Sequence, residues 1–159
     1  MVPMTEIDLL LAQIDQAYNR CSWHGTNLRG SVRGMTPEDA AWRPRSGRHN
    51  IQEIVVHAAY WKYVVRRRLT GEKRGSFPLE GSNWFPRPHA DANVWTADRR
   101  LLDGCHRQLR DTIASLVPKR LHRTVGGSTT ALALVTGIIA HDLYHAGQIQ
   151  LLKRMRADG

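Results

Sequence analysis

Four long stretches of this chain repeat apolar residues at intervals of three and four, and no stretch reads convincingly as a strand. That period matches a helix with one buried face. The first expected helix runs from Thr5 to Val32, with Ile7, Leu10, Leu11, Ile14, Tyr18, Cys21, Leu28 and Val32 on its stripe. Thr5 with Asp8 resembles a capping box, Gly25 weakens the middle, and Gly30 and Gly34 offer places to stop. The second runs from Ile51 to Leu69 behind an Asn50–Glu53 cap signature, with Ile51, Ile54, Val55, Ala58, Trp61, Val65 and Leu69 facing inward. Thr96 is expected to cap a third helix, Ala97 to Val117, which Pro118 ends. A fourth starts near Thr129 and reaches Met155. Thr36 and Pro37 mark the start of one short extra helix. Gly71 to Trp95 has no helical period and is a long connection between the second and third helices. Its aromatics suggest packing over an open site. With no internal repeat, the expectation is an all-α four-helix bundle.

At 159 residues the expected organisation is a single domain, 1–159, with a real core. The longest apolar run, Ala131 to Ala140, contains Thr136 and Gly137 and is too short to cross a bilayer. Met1 to Leu10 carries two acids and no Lys or Arg, the wrong sign for a secretory leader. A cytoplasmic location without membrane contact is therefore expected. Cys21 and Cys105 fall at apolar positions of expected helices and are read as two reduced core thiols. The net charge is +9, and arginine greatly outnumbers lysine. The basic residues are scattered: Arg43, Arg45 and Arg48 in a loop, Arg66 to Arg68 near a helix end, and Arg99, Arg100, Arg107 and Arg110 on another helix. This favours a solvated basic surface over a nucleic-acid partner, with an anionic small substrate as a third use.

His141 and His145 stand four apart on one helix face, one turn above the other. Ile138, Ile149 and Leu152 share that face. Buried imidazoles need partners, and one metal ion can serve both. His57 lies three residues after Ile54 and four before Trp61, so it points into or beside the core. Alone it would read as a core histidine tied to a backbone carbonyl; beside a pair seeking a partner, the ligand reading gains weight. His24 and His106 read as boundary residues, and His89 as exposed. Three imidazoles leave at least one coordination position for water or substrate. Zinc or nickel leads, with iron and manganese also compatible with imidazole.

The order and separation of several motifs resemble the DinB/YfiT-like superfamily of metal-binding four-helix bundles. They are Trp42 and Pro44 before a capped second helix, Asn50-Ile51-Gln52-Glu53-Ile54-Val55-Val56-His57 leading to Trp61, and His141-x-x-x-His145-x-Gly147-Gln148-Ile149 near the end. The resemblance spans almost the whole chain. It implies a divalent metal on one histidine of the second helix and two of the fourth, which by position are His57, His141 and His145. It also implies homodimers and an up-down-down-up bundle. The superfamily includes transferases and isomerases that use low-molecular-weight thiols, so a metal-dependent thiol S-transferase acting on a small-molecule substrate is the leading expectation. A non-enzymatic metal-binding, stress-response or ligand-sensing module is the alternative.

His141-Asp142-Leu143-Tyr144-His145 also superficially matches the zinc-protease pattern His-Glu-x-x-His, with Asp for Glu. Asp is one methylene shorter, and the flanking chain lacks the strands of a protease cleft. Asp142 is therefore read as a surface residue, a helix-pair partner or a support for the site. Gln148 is placed equally in the bundle packing or beside the site. Trp61 and Tyr144 are read as core packing ahead of pocket lining.

Overall fold

Thr5 begins the first helix as the spacing predicts. Its hydroxyl accepts from the Asp8 N–H while the Asp8 carboxylate accepts from the Thr5 N–H at 2.9 Å, closing a reciprocal cap on α1 (Glu6–Tyr18). The computed structural model describes residues 3–158, so the outermost residues of the expected 1–159 domain, at 1, 2 and 159, lie outside the described residues. The helix then stops at Tyr18, well short of Val32. Gly25 takes φ 102°, and Asn27 donates to the Arg20 carbonyl while its side-chain oxygen accepts from the Gly30 N–H. These local bonds give the backbone an alternative to continuing the helix. A four-residue α2 (Leu28–Ser31) follows the interruption. Cys21 consequently lies exposed in the loop, not in the core, whereas Cys105 is buried as expected.

α3 (Pro37–Ala41) starts on the Thr36 cap with Pro37 in its first turn. α4 (Ile51–Thr70) starts on Asn50, whose side chain accepts from the Glu53 N–H, and ends on Gly71 at φ 78°. Glycine suits that left-handed closing residue because it has no Cβ to clash. α5 (Ala92–Ala114) begins five residues earlier than the Thr96 cap predicts. Asp91 caps it instead, accepting from the Val94 N–H at 2.8 Å. The earlier start carries Trp95 into the core, where its indole N–H donates to the Met35 carbonyl. Pro118 opens a short α6 (Pro118–Leu121), after α5 has already ended at Ala114. α7 (Ala131–Asp158) closes the chain.

The described residues form these seven helices and no strand; Thr124 and Thr130 make one isolated bridge. The fold is therefore all-α. α4 packs on both α5 and α7, and α1 packs on the same two helices. One apolar cluster joins Tyr18, Ile54, Ala58, Trp95, Leu102 and Ile149; a second joins Ile14, Leu69, Leu109, Ile113 and Ile138. Trp61 touches both. α4 is buried nearly all round, as a helix packed on several sides must be. Among the described residues no helix is long and apolar enough to cross a membrane.

Candidate metal centre

α4 carries His57 and α7 carries His141 and His145 to one place, with ligand-capable atoms of all three within 4.8 Å of one another. The Nε2 of His141 lies 3.1 Å from the Nε2 of His57 and 3.1 Å from that of His145. Two imidazole nitrogens on one tetrahedral zinc, each about 2.0–2.1 Å from it, stand roughly 3.3 Å apart. The spacings of His141 to His57 and to His145 therefore fit donors to a single small cation.

The far side of each ring decides which nitrogen offers a lone pair. His57 Nδ1 donates to the Asn83 carbonyl at 2.8 Å, and His145 Nδ1 donates to Gln148 Oε1 at 2.7 Å. Both neutral rings then present an unprotonated Nε2 to the centre. His141 holds one proton at most when neutral, and its Nδ1 is buried without a partner. A proton on His141 Nε2 cannot bond well to both neighbours; a proton on Nδ1 leaves three lone pairs facing one another. A shared cation resolves either conflict. Burial, the largest cause, pushes the His141 pKa down to about 3 and that of His145 to about 4, and the neighbouring imidazoles add to it. Burial also lowers His57, against the Asn83 bond. Neutral rings are the form a metal needs.

The long connection supplies parts that the histidine spacing did not reveal. Asn83 sits at φ 64°, unusual for a residue with a side chain. In that conformation its carbonyl holds His57 while its Oδ1 accepts from the Trp61 indole N–H at 2.9 Å. Trp84 stacks on His57 with ring centroids 3.9 Å apart, and His49 stacks on Trp84 at 3.6 Å. No periodic pattern marks residues 83 and 84. Their only sequence signal is the density of aromatics in a connection too long to be a plain linker.

Gln148 thus lies beside the site, on His145. Trp61 and Tyr144 line the adjoining cavity, and Tyr144 is 63% exposed, so its expected core role is corrected. Asp142 is no surface residue: it is fully buried and pairs with Lys62 at 2.5 Å. Helical geometry turns it about 100° away from His141, toward α4. His106 is buried, stacked on Tyr18, and is no boundary residue; His24 and His89 are exposed. The cavity beside the three imidazoles has a volume of about 960 Å³. That is near the upper end of the roughly 300–1,000 Å³ typical of small-molecule sites.

The sequence model of the DinB superfamily matches residues 20–149, a span containing all three histidines. A match over most of the chain places this protein in that superfamily. Neither the curated proteins nor the solved structures searched gave a match.

Proposed function

We propose that this member of the DinB superfamily is a metal-dependent enzyme that transfers a low-molecular-weight thiol to an electrophilic small molecule. The observation that supports the reading is the convergence of three Nε2 atoms beside a large cavity, two of them oriented by bonds on the opposite ring nitrogen. In it His57, His141 and His145 hold a divalent ion, zinc or nickel before iron or manganese. When bound, such an ion supplies Lewis acidity that lowers the pKa of a coordinated thiol.

The chain's own residues do the rest. Asn83 and Gln148 fix the ring tautomers. Trp84 covers the His57 ring, and Trp61, Tyr144 and Ile54 give the reaction space apolar walls that limit water. The transfer forms one sulfur–carbon bond. The thiol proton passes to solvent, and the bond broken at the electrophilic carbon leaves its electron pair on the departing group. The same reading takes α1, α4, α5 and α7 as an up-down-down-up four-helix bundle in one domain, working as a cytoplasmic homodimer.

Metal analysis of the purified protein, followed by thiol-consumption assays on metal-loaded and chelator-stripped samples, tests the proposal. The expected result is about one divalent ion per chain and thiol consumption that disappears on stripping. No metal and no thiol dependence would sink it. Bound metal without turnover across a broad panel of thiols and electrophiles would favour the non-enzymatic module.

A further inference from the structure

The cavity is chemically one-sided. Among its lining residues there is no Asp or Glu. It does have Arg45 and Arg48, both exposed on the loop between α3 and α4. Among the described residues neither reaches a carboxylate within 4.0 Å. Arg29, Arg43, Arg66, Arg87, Arg110 and Arg156 all do.

The loop that carries this pair is held at both ends by one acid. Glu53 accepts from Arg43 at 2.5 and 3.0 Å and from His49 Nδ1 at 2.8 Å. Arg43 also donates to the Arg48 carbonyl at 2.5 Å. Glu53 therefore engages Arg43 and His49 and leaves the cations between them free.

Another wall is apolar where a solvent-facing helix surface should be polar. Tyr144, Leu151 and Met155 are 63%, 60% and 44% exposed, and all three line the cavity. They recur at seven and four residues, one stripe running about 16 Å along α7. Leu151 and Met155 lie beyond residue 149, where the family match ends. An exposed ion pair alone is weak in water. Where a bound apolar body covers these walls and displaces water, the same attraction grows. The combination selects an anion attached to an apolar body and rejects a cation.

We propose that this cavity binds an amphipathic carboxylate, its anion held by Arg45 and Arg48 and its alkyl or aryl body laid along Tyr144, Leu151 and Met155. Arginine suits a carboxylate because its planar fork can give paired hydrogen bonds. The inference rests on the proposed function only in making this ligand the electrophilic substrate beside the metal; the binding itself needs no turnover.

The test is calorimetric titration of zinc-loaded and chelator-stripped protein with octanoate, 1-octanol and octylammonium, with zinc content measured on the same samples. Octanoate should bind at least tenfold more tightly than either of the others, with or without zinc. The double variant Arg45→Ala/Arg48→Ala changes two exposed side chains. It should lose at least tenfold on octanoate and less than twofold on octanol. Leu151→Ser should weaken octanoate and octanol alike, about threefold. Equal affinity for the three probes, or an unchanged double variant, would overturn the proposal. So would an anion preference that vanishes with the metal, which would make the ion the anion site. If Leu151→Ser alters oligomeric state but not octanoate binding, the stripe belongs to a second copy and the proposal fails. Protein that takes up no zinc yet keeps the preference would fail the metal reading while leaving this one standing.

Discussion

A cluster of three largely buried imidazoles and one isolated buried imidazole, His106, sit in this protein, and they are built for opposite ends. His57, His141 and His145 have neighbours that turn lone pairs inward, toward one point beside a cavity. His106 stacks on Tyr18 at 3.6 Å, and its Nδ1 is buried without a partner. Nearby, Lys62 lies 5.0 Å over the same tyrosine ring and pairs with Asp142, while the Tyr18 hydroxyl donates to Asp103, which Arg29 also holds. The Lys62 ammonium already supplies a cation in that second region, and among the described residues His57, His141 and His145 are the group whose donor atoms converge as metal ligands would. Burial lowers the His106 pKa to about 3, much as it lowers His141. A depressed imidazole pKa therefore does not separate a ligand from a core residue. Convergence of oriented lone pairs does.

The largest expected effect on this contrast comes from His141→Ala, which removes the nitrogen shared by both short contacts. It should abolish stoichiometric zinc uptake in a chelator-competition assay while the apo fold persists by circular dichroism. Retained affinity would break the comparison. Next is Lys62→Met. It strands the fully buried Asp142 carboxylate, and breaking such a pair costs about 3–5 kcal/mol. The double change Lys62→Met/Asp142→Leu should recover most of that in urea unfolding. Failure to recover would show that the pair does more than neutralise itself.

Gln148→Ala removes the acceptor that orients His145 and should weaken zinc binding about 10–100-fold, the usual cost of losing such support. The smallest effect is expected for His106→Phe, which should leave zinc content unchanged. It should also flatten part of the acid sensitivity. The folded pKa of His106, about 3, lies below the reference value of 6.5. Its contribution is thus full above about pH 6.5 and is lost as pH falls from there toward 3. Urea midpoints at pH 7 and pH 4.5 check this; an equal drop in wild type and variant would contradict it.

Much of the fold could be read in advance because its signals are local. Thr5, Thr36 and Asn50 cap the helices they were expected to cap, since each needs only a backbone N–H three residues ahead. His57 and the His141–His145 pair could be placed on inward faces for the same reason. Local signals misled where two candidates competed. Asp91, not Thr96, starts α5, and the Asn27 bonds end a stripe that otherwise ran on to Val32. α7 was the hardest to read, because it buries Asp142 and His145 while exposing Leu151 and Met155.

The sequence by itself determined the all-α class, the caps of α1, α3 and α4, and the three imidazoles that face inward. Each follows from spacing within one helix, where geometry repeats every 3.6 residues. Only the tertiary structure decided what those groups meet. Lys62 finds Asp142 80 residues away, and Asn83 in a non-periodic connection meets His57 26 residues away. Arg45 and Arg48 come to face a cavity partly walled by the end of α7. Such partners are chosen by packing and by the cost of burying an unpaired charge or lone pair, and neither leaves a periodic trace in the chain.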